Sequence, residues 1–173
     1  MIKELYRKFL ANNCKVSTDT RNIIPGSIFF ALKGPNFNAN EFAQEAINKG
    51  ASYAVIDDEK YSLDNRTILV NDALKCLQNL ALYHRNQFNI PVIGITGSNG
   101  KTTCKELIGA ILNRKSPTLV TQGNLNNHIG VPLTYCSFLI NMMQQSLKWA
   151  QVNPETLKSL QKLHVQLMDL SPI

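Results

Sequence analysis

Apolar positions along this chain recur with two periods that alternate from segment to segment. Residues 27–32 (Ser-Ile-Phe-Phe-Ala-Leu) form a short, nearly unbroken apolar run of the kind a buried strand carries. Residues 41–49 follow with Phe42, Ala43, Ala46 and Ile47 at helical spacing, and Gly50 supplies a stop. The alternation then repeats: a strand over 53–56, another over 67–70, and a helix over 72–87 whose Leu74, Leu77, Leu80 and Ala81 share one face. Polar Asn86-Gln87-Phe88-Asn89 interrupts the pattern. A second series starts with a strand at 92–93, continues with a helix over 101–112 and reaches another strand near 118–120. Residues 1–10 interleave charged and apolar side chains as a short amphipathic helix does. The pattern predicts the α/β class, with a small N-terminal α/β domain over 1–88 and the start of a second α/β domain over 89–134.

The junction at 94–103 adds chemistry to that frame. Gly94-Ile95-Thr96-Gly97-Ser98-Asn99-Gly100-Lys101-Thr102-Thr103 sits between the predicted strand and the predicted helix, the context a phosphate-binding loop requires. Glycines let the backbone turn tightly, so that successive N–H groups and the positive end of the next helix face a polyphosphate. Gly97, Ser98, Asn99, Gly100, Lys101, Thr102 and Thr103 are therefore the candidate ATP-binding residues. Lys101 would reach the terminal phosphates, and the Thr102 hydroxyl would hold Mg²⁺. The usual Walker A spacing wants glycine where Ile95 stands, so the loop meets the physical requirement without matching the regular expression.

Composition narrows the choice further. The 173 residues are 44% hydrophobic and 17% charged, enough for one medium domain or two small ones with real cores. No apolar stretch has the length of a membrane span, and the first ten residues lack the core of a signal segment. The four cysteines are scattered without metal spacing, which points to a reduced, cytoplasmic setting. A net charge of +6 is dispersed, with no basic run longer than a pair such as Arg114-Lys115, which argues against a nucleic-acid surface.

Three blocks together resemble the Mur ligase family of peptidoglycan synthesis. They are Thr18-Asp19-Thr20-Arg21 with Pro25-Gly26-Ser27-Ile28-Phe29-Phe30-Ala31-Leu32-Lys33-Gly34, then the 95–103 loop, then Gly123-Asn124-Leu125-Asn126-Asn127-His128-Ile129-Gly130-Val131-Pro132. The resemblance covers residues 1 to about 134, and its last block is the most diagnostic of the tripeptide-accepting member. It implies an ATP- and Mg²⁺-dependent ligase that phosphorylates the carboxylate of UDP-N-acetylmuramoyl-tripeptide and lets the amine of D-alanyl-D-alanine attack the acyl phosphate. Catalysis would fall to positioning and charge neutralisation by Lys101 and Thr102. The resemblance further implies a UDP-substrate-binding role for the first domain, with Thr20, Arg21, Lys33, Asn36, Phe37 and Asn38 at the matching positions. Asn126, Asn127 and His128 match the segment where ATP and the nucleotide-sugar substrate meet. Asn40 stands where many members have histidine. A monomer with no nucleic-acid or membrane partner is expected.

From Tyr135 the resemblance breaks, and residues 135–173 are expected to be a non-family tail, helical or disordered. Asn153-Pro154-Glu155 would start a helix with Leu157, Leu160, Leu163, Leu167 and Leu170 along one stripe. The neighbouring reading frame offers a second account. With permitted wobble bases, codons 142–156 read Asp-Ala-Ala-Val-Ile-Glu-Met-Gly-Ala-Gly-Gln-Pro-Gly-Asp, which resembles the family's next strand and its metal-binding glutamate. One nucleotide lost near the Thr134 codon would produce this tail, and the chain would then be an inactive fragment. Two other readings are a stand-alone ATP- or nucleotide-binding module related to Mur ligases or folylpolyglutamate synthases, and an interaction protein that uses the leucine-rich tail. Sequencing the gene across this region separates them: the frame-loss account predicts an open −1 frame continuing into ligase sequence, and closed frames sink it.

Overall fold

Parallel strands, each followed by a return segment on the sheet face, organise both halves of the chain. The computed structural model describes residues 1–96, 98–123, 125–138 and 165–169, the last five as backbone. The chain divides into two units, Met1–Arg85 and Asn86–Ile173. The α/β class expected from the alternation of periods is the class observed.

In the first unit, a four-stranded parallel sheet has the order β1-β2-β5-β6, with β1 at Val16–Ser17, β2 at Ile28–Phe30, β5 at Tyr53–Ile56 and β6 at Thr67–Leu69. Ile28 pairs with both Val16 and Tyr53, and Ala54 pairs with Thr67. The centre of this sheet is dry: Ile28, Phe29, Phe30, Ala54, Val55 and Ile56 are all fully buried, as strands covered on both faces must be. Helix α2 (Ala43–Asn48) buries Ala43, Ala46 and Ile47 against Phe29, Ala31, Ala54 and Ile56. Between β2 and α2 a small antiparallel hairpin, β3 (Lys33–Gly34) and β4 (Phe37–Asn38), projects from the sheet. β1 and this hairpin were not visible in the periodicity because strands of two residues have no period to read.

Helices α1 (Ile2–Ala11) and α3 (Ala73–Arg85) complete the first unit. Their contact is aromatic: the rings of Tyr6 and Tyr83 meet edge-on with centroids 4.9 Å apart, and Phe9 meets His84 at 5.0 Å. His84 is fully buried, with the Tyr6 hydroxyl 3.1 Å from its Nδ1.

The second unit holds a three-stranded parallel sheet in the order β7-β9-β8, with β7 at Val92–Ile95, β8 at Thr118–Val120 and β9 at Val165–Asp169. Helix α4 (Lys101–Leu112) follows β7, and α5 (Gly130–Cys136) follows β8. β9 corrects the expectation of a helical or disordered tail at these five residues: Leu167 is a strand residue in register with both Ile93 and Val120, not a member of a helical stripe. The reason is tertiary, since β7 and β8 do not pair with each other and a parallel strand between them satisfies the backbone groups of both inner edges. The expected helix start at 153–155, together with Leu157, Leu160, Leu163 and Leu170, lies outside the described residues.

Burial lowers the His84 pKa to about 4, so the ring is neutral in the fold at pH values where an unfolded chain binds a proton. The contribution of His84 is therefore complete above pH 6.5 and is lost as pH falls from there toward 4, by about 3 kcal/mol at most. Urea titrations followed through α1 and α3 resonances should show this slope in the wild type, and a shallower one in His84→Phe.

Candidate functional site

Each unit gathers its candidate residues at the carboxyl ends of parallel strands. In the first, β2 leads directly into the hairpin, and an open groove of about 400 Å³ is lined by Lys33, Asn36, Phe37, Asn38, Glu41 and Phe42, among others. Phe37 and Phe42 stack nearly parallel at 5.6 Å with 15° between their planes, and Phe37 remains 57% exposed. An exposed aromatic face beside an ammonium and two amides suits a flat heterocycle carrying a negative charge.

Asp57, just past the end of β5, holds this groove from behind. Its Oδ1 accepts from Lys33 Nζ at 2.9 Å and from Asn40 Nδ2 at 2.8 Å, while its Oδ2 accepts from the Ala73 N–H at 3.1 Å, at the start of α3. Asn40 answers by accepting the Asp57 N–H at 3.0 Å on its own Oδ1. Burial pushes the Asp57 carboxyl up, but hydrogen bonds from Lys33, Asn40 and Ala73 outweigh it and leave its pKa below the ordinary value. The same ion pair raises the pKa of Lys33. Asn40 is fully buried, and its side chain is engaged with Asn38 and Asp57, which gives it a scaffold role in the fold.

Thr20 and Arg21 stand on a different feature, the 3₁₀ turn Thr20–Asn22, and are not among the residues lining the groove. Asp19 caps that turn, accepting the Arg21 N–H at 2.9 Å and its guanidinium at 2.6 Å. Those hydrogen bonds from Arg21 hold the Asp19 carboxyl down at about 2. The Thr20 carbonyl accepts from Lys49 Nζ at 2.9 Å. The structure thus brings Lys33, Asn36, Phe37 and Asn38 together and sets Thr20 and Arg21 apart from that lining.

In the second unit, β7 runs into the glycine-rich loop and then into α4. Gly100 takes the left-handed conformation at the helix cap, with φ +78°, and nothing lies within 4 Å of where a side chain would start. Ser98, Asn99, Gly100, Thr102 and Thr103 are exposed, and Lys101 Nζ reaches the Ser98 carbonyl at 3.4 Å. Gly97 lies outside the described residues. The first-turn N–H groups of α4 and the Thr102 hydroxyl are thus presented at an open surface, which fits an anionic phosphate with its Mg²⁺.

The loop after β8 carries Asn126, Asn127 and His128. Asn127 Oδ1 accepts from the N–H groups of Ile129 at 3.0 Å and Gly130 at 2.8 Å, so this side chain tethers the entry to α5. Gly130 is required there by close approach, because an added Cβ would meet the Leu125 Cα at 2.5 Å. Both loops leave parallel strands at the same sheet edge. Sequence reasoning missed the residue that joins them: Lys105, fully buried, donates to the Thr121 carbonyl at 2.6 Å. No hydrophobic phase marks it, since in α4 Lys105 and Gly109 are buried while Leu107 and Ile111 face outward.

Residues 95–144 match the Mur ligase middle domain, a match that runs past Thr134. The chain is 44% identical over 119 residues to a UDP-N-acetylmuramoyl-tripeptide–D-alanyl-D-alanine ligase of Escherichia coli, covering 69% of this chain and 26% of that protein. The like-named ligase of Bacillus subtilis is 42% identical over 122 residues, again covering 69% of this chain and 26% of the relative. A crystal structure of MurF from Acinetobacter baumannii superposes with TM-score 0.69 at 32% identity, over 91% of this chain and 30% of that one. The MurF ligase of Thermotoga maritima, solved in complex with ADP, gives 0.65 at 26% identity over 90% and 32%. The chain therefore spans about a quarter of the length of these curated relatives.

Replacing Asp57 with alanine leaves the buried amide of Asn40 and the Ala73 N–H short of an acceptor, and should cost about 2 kcal/mol or more in urea unfolding of the first unit. Glu41→Ala, on the exposed rim of the same groove, should stay within about 0.5 kcal/mol of wild type.

Proposed function

This chain belongs to the Mur ligase family, and on that premise we propose that it supplies the nucleotide-handling part of a ligase that adds D-alanyl-D-alanine to UDP-N-acetylmuramoyl-tripeptide. The single observation that carries the reading is the junction of β7 and α4, where a left-handed Gly100 opens the first turn of the helix beside Lys101 and Thr102. That geometry, within a chain so similar to these ligases, supports ATP as the phosphoryl donor.

In this reading the first unit holds the nucleotide end of the sugar substrate. Phe37 and Phe42 offer a flat face to a base, while Lys33 and the amides of Asn36 and Asn38 meet polar groups at the groove. The second unit receives the triphosphate on backbone N–H groups at the start of α4, with Lys101 as the neighbouring cation. Thr102 would hold Mg²⁺, which neutralises charge on the transferring phosphoryl group when bound. Asn126 and His128, on the loop after β8, would meet the phosphorylated carboxylate. These 173 residues bind the two nucleotides, and the ligation step belongs to the longer arrangement of the family.

Among the described residues, no helix is long and apolar enough to cross a membrane. Cytoplasmic localisation and a monomeric state remain part of the proposal.

Titration calorimetry with ATP and Mg²⁺ should show saturable binding by the whole chain. Lys101→Ala should weaken it at least tenfold, about 1.4 kcal/mol, with uridine diphosphate binding unchanged. Equal ATP affinity in wild type and Lys101→Ala would remove the phosphate loop from the reading.

A further inference from the structure

Lys105 is a lysine in a place that physical chemistry reserves for an aliphatic side chain. It sits one helical turn after Lys101 on the inner stripe of α4 and has no exposed surface. Its ammonium donates to the Thr121 carbonyl at 2.6 Å and reaches the Gly123 carbonyl at 3.5 Å. The carboxylate near it, Glu106 Oε1 at 3.4 Å, belongs to a side chain 64% exposed and lends only a screened charge. A methionine would fill similar volume without desolvating a cation, so what lysine adds is the bond to the loop.

That bond has a definite target. Thr121 follows β8 directly, and Gly123, with φ +51°, turns the chain toward Asn126, Asn127 and His128. The far end of the same loop is held by Asn127 and by the close approach of Gly130 to Leu125. The near end has Lys105.

We propose that Lys105 is a positioning residue that ties the loop after β8 to the phosphate-loop helix, so that the placement of Asn126 and His128 depends on α4. Lys101 and Lys105 then divide the work of one helical stripe, the first facing the phosphate and the second fixing the neighbouring loop to the same rigid element. The link to ligand rests on the phosphate-loop reading above; the tether itself does not.

Amide hydrogen exchange on the whole chain tests it. Without nucleotide, Lys105→Met should speed exchange at residues 122–130 at least tenfold, with α4 and β8 amides changed far less, and Lys105→Arg should recover much of the protection. Uniform acceleration across the second unit, or no change at 122–130, would overturn the proposal. Should Lys105→Met not fold, the wild type decides: in low urea, amides of 122–130 and of 105–112 should share one opening free energy, and independent opening refutes the tether. Adding ATP and Mg²⁺ should then raise protection at 98–104 and at 122–130 together. Protection at 98–104 alone counts against the coupling. No protection at either, with the nucleotide-free result intact, counts against the phosphate-loop reading and leaves the tether standing.

Discussion

Parallel strand pairing is the constraint on which the rest of this structure depends. Strands that run the same way end at the same sheet edge, so every segment leaving a carboxyl end is delivered to one rim. In the first unit that rim receives the hairpin after β2, Asp57 after β5 and the start of α3 after β6. In the second it receives the glycine-rich loop after β7 and the Asn-rich loop after β8. Residues far apart in the chain become neighbours because hydrogen-bond ladders align their strands.

Alignment alone does not hold loops still, and each unit uses one buried or half-buried charge for that purpose. Asp57 accepts from a lysine, an amide and a helix N–H, and so connects the groove, its floor and α3. Lys105 gives its protons to backbone carbonyls of the loop after β8. In both cases a charge is kept from water and repaid by several directed hydrogen bonds, an arrangement that loses much if one partner is removed. Neither residue lies on the surface that would meet a nucleotide, and both determine where the residues on that surface stand.

The sites legible in the sequence were those whose chemistry is local. Gly100-Lys101-Thr102 declares itself by residue type, spacing and position between a strand and a helix, and the structure has that strand, that turn and that helix. Phe37 and Lys33 were legible as chemistry, but their meeting in one groove needed the short hairpin, whose two-residue strands carry no period. Arg21 is paired with Asp19, two residues away. Lys105 was invisible because a lone lysine among apolar positions reads as the polar side of a helix, and only the packing of α4 on β8 turns it inward.

By itself the sequence determined the α/β alternation, the helices α1, α3 and α4, the core strands β2 and β5, and the glycine-rich turn between β7 and α4, because hydrophobic period and glycine chemistry act over a few neighbouring residues. Only the tertiary structure decided that Val165–Asp169 runs as a strand between β7 and β8, that Asp57 and Asn40 lock the groove, and that Lys105 faces inward. Those outcomes turn on unpaired backbone groups and buried charges finding partners many residues away, and no local pattern records where such partners will be.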